Sequence, residues 1–176
     1  HYQHQLAGNR FRLIRFVTRR EGLMMRKDAP VKISSLAELA SSGLRFIGRD
    51  RHSGTRILFN HLLRQAGLAE ESINRSPQQE FTHTAVAAFV ASGMADVGFG
   101  VEAAASQFNL DFVEMACEHY LLLCHEDRLD QSNLSHLVEL MRSKPFIERI
   151  HQLPGYEPDN PGTVTTFEQL LSGTGD

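Results

Sequence analysis

Leu44-Arg45-Phe46-Ile47-Gly48-Arg49-Asp50-Arg51-His52-Ser53-Gly54-Thr55-Arg56 is the stretch that decides the fold. Its first four residues favour a strand. Its last four are a helix start, because Ser and Thr side chains satisfy the open N–H groups of a first turn. Ile57, Leu58, His61 and Leu62 continue at helical spacing and Gly67 supplies a stop. A strand that passes through a short loop into an amphipathic helix is half of a βαβ unit, so strands alternating with helices are expected on both sides of it.

Upstream, Arg12-Leu13-Ile14-Arg15-Phe16-Val17 alternates as a strand does, and Gly22-Leu23-Met24-Met25 reads as a second short one. Asp28-Ala29-Pro30 marks a turn. Ser34-Ser35 caps a short helix, Leu36 to Ala40, which Gly43 closes. Downstream, a helix is predicted from Thr82 to Ser92 with Val86, Phe89 and Val90 on one stripe. Ala95 to Gly100 reads as a buried strand, and Val101 to Ala105 opens another helix. Leu110 to Cys124 is one long β-like stretch. Helices over Leu134–Met141 and Pro145–Leu153 precede a tail rich in Pro, Gly and Thr that reads as loop. The fold class is α/β, with mainly parallel sheets flanked by helices.

Apolar residues make up 41% of the 176 positions and charged ones 22%, enough of each for a globular domain with a core. Eighteen Lys and Arg face twenty-one Asp and Glu, so no basic surface of the kind that binds nucleic acid is expected. DNA contact would need a domain outside this chain. No apolar run approaches the ~20 residues that cross a bilayer, and no membrane partner is expected. Cys117 and Cys124, seven apart in one strand-like stretch, form no CxxC pair and read as buried free thiols on opposite faces. Free thiols favour a reducing compartment, and a cytoplasmic location is expected.

The chemistry centres on helix starts. Ser53, Gly54, Thr55 and Arg56 combine hydroxyl donors, a glycine that admits close backbone approach, the positive end of a helix dipole and a forked cation. Simple capping also accounts for Ser53 and Thr55. Thr82 caps the next helix, where His83 offers a ring nitrogen. Glu102 opens a third helix, where a carboxylate suits the dipole, and orienting Arg56 or closing a cleft is the alternative role for it. Of the run Arg49, Arg51 and Arg56, one member is expected to reach a ligand while the rest form a solvated face. Tyr120 carries its hydroxyl on the long late strand, either toward a cleft or in a half-buried core. No GxSxG, HExxH, GxxxxGK[ST] or GxGxxG motif occurs. Hydroxyl-bearing helix starts without a paired acid and base describe binding rather than turnover, so no enzyme, no metal site and no cofactor are expected.

RFIGRDRHSGTRILFNHLLRQAGL, EFTHTAVAAFVASGMADVGFGVEAAA and LDFVEMACEHYLLL follow one another in order. In these runs the chain resembles the periplasmic-binding-protein-like, type II domain of bacterial molybdate-responsive regulators and of proteins associated with molybdopterin biosynthesis. The resemblance covers about residues 11–156. It implies two lobes: residues 1–31 and 106–176 in lobe I, whose first strand–loop–helix would lie ahead of His1, and residues 32–105 in lobe II. It implies a ligand held by Ser53, Gly54, Thr55 and Arg56 together with Thr82 and His83. The ligand implied is a small anion, molybdate or tungstate, and the role is sensing for an attached helix-turn-helix domain.

Three functions of different classes follow. One is an anion sensor. Another is an extracytoplasmic receptor that hands its ligand to a transporter; for either, a small organic anion is the alternative ligand. The third is an enzyme on a phosphorylated or carboxylated metabolite, working through His83 or Glu102. A homodimer is compatible with each.

Overall fold

A computed structural model describes residues 10–172. The strands are β1 (Phe11–Met25), β2 (Phe46–Ile47), β3 (Val97–Val101), β4 (Asp111–His125), β5 (Tyr156–Pro158) and β6 (Val164–Thr165). The helices are α1 (Leu36–Ser42), α2 (Gly54–Gln65), α3 (His83–Ala91), α4 (Glu102–Gln107), α5 (Ser132–Arg142), α6 (Lys144–His151) and α7 (Phe167–Ser172). The fold is α/β, as the alternation of elements implies. Two elements differ from expectation. β1 is a single strand rather than two, because β6, β5 and β3 pair in turn along its length, at Leu13–Ile14, Val17–Arg19 and Glu21–Met25. The tail is not all loop: it supplies β5, β6 and α7.

The sheet runs β2-β3-β1-β4, with β5 and β6 also on β1. It is mixed. β2 and β3 are parallel, as a βαβ reading requires, whereas β1 is antiparallel to β3, β5 and β6. The antiparallel share exceeds expectation because a single long strand supplies one side of all three pairings.

Among the described residues the chain forms two compact units, one built from residues 10–19 and 118–172, the other from Arg20–Cys117. The sequence reading sets the crossings near 31/32 and 105/106; the two units divide at 19/20 and 117/118, inside β1 and β4.

The Arg20–Cys117 unit is a sheet with helices on both faces. Leu23 and Met25 of β1, Phe46 of β2 and Val97 and Phe99 of β3 share one cluster with Leu36 and Leu39 of α1 and Phe59 and Leu63 of α2. Met24 and Ile47, one residue out of step, turn to the other face and join Val86, Ala87 and Val90 of α3 with Ala104 and Ala105 of α4. Burying each large side chain of this kind stabilises by about 1.5–3 kcal/mol. Gly98 lets α3 approach β3 closely, since a Cβ there would lie 2.8 Å from Val86 Cγ1. On α2 the buried stripe is Thr55, Phe59 and Leu63, while Ile57 is half exposed, so the face is turned from the one its apolar spacing suggests.

The other unit buries Leu13, Ile14 and Val17 of β1 with Met141 of α5 and Ile150 of α6. Phe16 stacks on Phe146 at a centroid distance of 6.0 Å.

Candidate functional site

The starts of α2 and α3 are brought together by their approach loops. After β2 the chain continues through Gly48 and Arg49, and Arg49 forms a parallel bridge with Glu80. Glu80 N–H donates to the Gly48 carbonyl at 3.2 Å, and Asp50 N–H donates to the Glu80 carbonyl at 3.1 Å. The loop that leads into α2 is thus zipped to the one that leads into α3.

At the α2 start most of the side chains are already engaged. Ser53 caps the helix: its hydroxyl accepts from Arg56 N–H at 3.2 Å and donates to the Asp50 carbonyl at 2.9 Å. The buried Thr55 hydroxyl donates to Glu21 Oε1 at 3.1 Å. Arg56 donates from Nε to Asn60 Oδ1 at 3.2 Å and pairs with Glu70 at 3.6 Å; its side chain is only 16% exposed. Gly54 has open space where a Cβ would stand. What this loop still offers is backbone: the Gly54 and Thr55 N–H groups lie in a first turn and have no intrahelical acceptor.

Arg75 joins this group, with its guanidinium 5.3 Å from the centroid of Phe46 and 5.0 Å from that of Phe59. Burial pushes its pKa down to about 10, the neighbouring Arg56 charge acts in the same direction and Glu70 opposes both. It stays charged at neutral pH. Two guanidiniums therefore share the one Glu70 carboxylate, and the local field is positive.

The α3 start is less committed. Thr82 caps it by accepting from Ala85 N–H at 3.0 Å, which leaves the Thr82 O–H to donate. His83 Nδ1 accepts from Val101 N–H at 3.4 Å, so in the neutral ring the proton sits on Nε2. Thr82, His83 and Thr84 line an open cavity of about 430 Å3. Arg49 and Gln107 add polar groups to the lining, and Phe81, Val101, Ala103 and Ala104 add apolar ones. Arg49 Nε is shielded from solvent and has no hydrogen-bond partner. Arg49 also borders the narrow space beside Thr55 and Arg56, so it connects the two helix starts.

The remaining expected residues lie elsewhere. Glu102 opens α4 but pairs with Arg20 at 2.9 Å rather than orienting Arg56. Tyr120 belongs to the unit from Glu118 on, with the Arg19 guanidinium 4.7 Å above its ring, and is 45% exposed. Cys117 is exposed and Cys124 is half-buried, not both buried as their apolar surroundings suggest. Among the described residues the sheet order ends at β4, with no further strand on that side. Among the described residues no three His, Cys, Asp or Glu side chains are grouped to hold a metal ion, and no helix is long and apolar enough to cross a membrane.

Residues 1–142 match the PBP superfamily domain. The chain belongs to this superfamily. It is 30% identical over 159 residues to the uncharacterized protein YvgK of Bacillus subtilis, a match that covers 90% of this chain and 51% of that protein. The PBP domain described here thus spans about half the length of that curated relative. The fold is similar to the substrate-binding domain assigned to a molybdenum ABC transporter of Clostridium difficile. The TM-score is 0.60 at 16% identity, over 82% of this chain and 66% of that one. It is also similar to the effector-binding domain of QuiR in complex with shikimate, with a TM-score of 0.61 at 10% identity over 75% and 64% of the two chains. The PBP assignment makes this a small-molecule-binding domain.

Arg49, Thr84, Phe81 and Gln107 are the lining residues that sequence reasoning did not single out as contacts. Thr84 was legible as a second hydroxyl in the first turn of α3. Arg49 was legible as a member of a basic run but not distinguishable there from Arg51 and Arg56.

Proposed function

We propose that the Arg20–Cys117 unit binds a small anion at the start of α3, against Arg49, and that the domain senses this ligand for an attached DNA-binding domain. One observation carries the reading: Arg49 lines the cavity, and its Nε is shielded from solvent without an acceptor. A buried donor left unpaired costs about 1–3 kcal/mol, more if charged, and a turn of the Arg49 side chain toward the cavity would let an anion there supply the missing acceptor. Thr82 O–H and the N–H groups of the first turn of α3 point to the same ligand charge.

The motif resemblance nominates molybdate or tungstate, and the fold likeness to a domain assigned to molybdenum transport supports that choice. Fully ionised tetrahedral oxyanions present acceptors only, which suits a group of donors. The likeness to an effector-binding domain supports the sensor role, and unbonded Cys117 and Cys124 support a cytoplasmic setting. The transport likeness equally favours a second reading, that of a receptor that delivers its ligand to a permease.

Thermal shift and calorimetry with molybdate, tungstate, sulfate and phosphate test the anion reading. Stabilisation should rise with ligand concentration and reach about 2.7 kcal/mol at a hundredfold excess over Kd. Failure of these ions and of simple carboxylates alike would remove it.

A further inference from the structure

The cavity at the start of α3 is larger than a bare oxyanion needs. It measures about 430 Å3. A water molecule's share of the liquid is about 30 Å3, and one central atom with four oxygens occupies only a few such shares. Organic ligands are held in sites of roughly 300–1,000 Å3.

The lining is also mixed in character. Val101, Ala103 and Ala104 line the cavity beside Arg49, and Phe81 lines it while remaining 77% exposed. Phe81 precedes the cap residue Thr82, a position from which an apolar side chain often packs back onto the fourth helical residue. Here that residue, Val86, is already fully buried, and Phe81 is left in solvent. A lone exposed apolar side chain needs no explanation. One that lines a cavity together with three apolar neighbours and the Arg49 side chain is placed to cover a ligand that is apolar at one end and anionic at the other.

We propose that the ligand is an organic acid, with its acid group at Arg49 and the α3 start and a short aliphatic or aromatic body against Phe81, Val101, Ala103 and Ala104. This rests on the anion reading above and replaces the bare oxyanion by an acid that fills the cavity.

Calorimetry on the whole chain with acetate, hexanoate, 3-phenylpropionate and molybdate separates the two. Wild-type protein should bind 3-phenylpropionate at least tenfold tighter than acetate. Phe81→Ala, an exposed position where folding should survive, should lower that ratio several-fold by weakening 3-phenylpropionate more than acetate. Arg49→Gln should weaken all three acids. A flat carboxylate series beside tight molybdate binding would overturn the organic-acid inference and leave the anion reading standing. So would Phe81→Ala weakening acetate and 3-phenylpropionate equally. Binding of none of the four would remove the anion reading itself.

Discussion

Thr55 of α2 donates its hydroxyl to Glu21 of β1 across 3.1 Å, with both side chains buried. A hydroxyl from the motif read as a ligand loop is thus spent in joining a helix to the sheet. Thr55→Val should destabilise the protein by about 1–3 kcal/mol, the cost of depriving a buried carboxylate of a donor. Thr55→Ser should retain most of the stability. Urea unfolding of the three proteins checks this, and equal midpoints would show that the bond contributes nothing.

Arg56 and Arg49 should respond differently to substitution. Arg56 is held by Asn60 and Glu70 inside its unit, whereas Arg49 lines the cavity and its shielded Nε has no hydrogen-bond partner. Arg56→Ala should lower the melting temperature, with a loss of about 1.5–3 kcal/mol from a hydrogen bond made by a charged group. Arg49→Gln should leave stability nearly intact and weaken anion binding at least tenfold. A larger affinity loss in Arg56→Ala than in Arg49→Gln would place the anion at the α2 start instead.

The sequence carried the alternation of strands and helices, because β-favouring runs and helical spacing are local signals. Ser35, Ser53 and Thr82 were legible as caps, and each does accept a bond from its helix. What was not legible depends on partners distant in the chain. The continuity of β1 through Thr18–Arg20 requires β5, which is supplied from Tyr156 onward. The commitment of Arg56 requires Glu70, brought back by the turn after α2. Arg49 stood out from Arg51 only once Glu80 had zipped its loop to the α3 approach.

The pH dependence of stability should carry the mark of Asp159. Burial alone would raise its carboxyl pKa, but hydrogen bonds and charge from Arg15 and His119 outweigh burial and hold it below the ordinary value. His119 Nδ1 lies 3.0 Å from its carboxylate. A depressed folded pKa means that the contribution is fully present above the unfolded value of about 3.9 and is lost as pH falls from there through the lower folded value. Asp159→Asn should cost about 1–3 kcal/mol at neutral pH. The gap in melting temperature between it and wild type should narrow below about pH 4. A gap independent of pH would contradict the assignment.

Gly100 keeps His83 in place. A Cβ there would stand 2.9 Å from His83 Nδ1 and 3.1 Å from Met24 Cε, so Gly100→Ala must displace one of the two. Overpacking of this kind costs about 1–3 kcal/mol. Because His83 lines the cavity, anion affinity should fall together with stability. Gly43→Ala, at the end of α1 where the backbone is left-handed and the surroundings open, should cost stability alone. Unchanged affinity in Gly100→Ala would remove His83 from the site.

The central claim, that Arg49 Nε meets the anion, is tested most directly by nitrogen-15 NMR of the arginine Nε–H signals, with Arg49→Gln used to assign its resonance. On titration with molybdate and with 3-phenylpropionate, the Arg49 Nε–H signal should shift and saturate at the same concentration as the calorimetric binding curve, for whichever of the two binds. Saturable anion binding that leaves the Arg49 Nε–H signal unmoved would contradict the account.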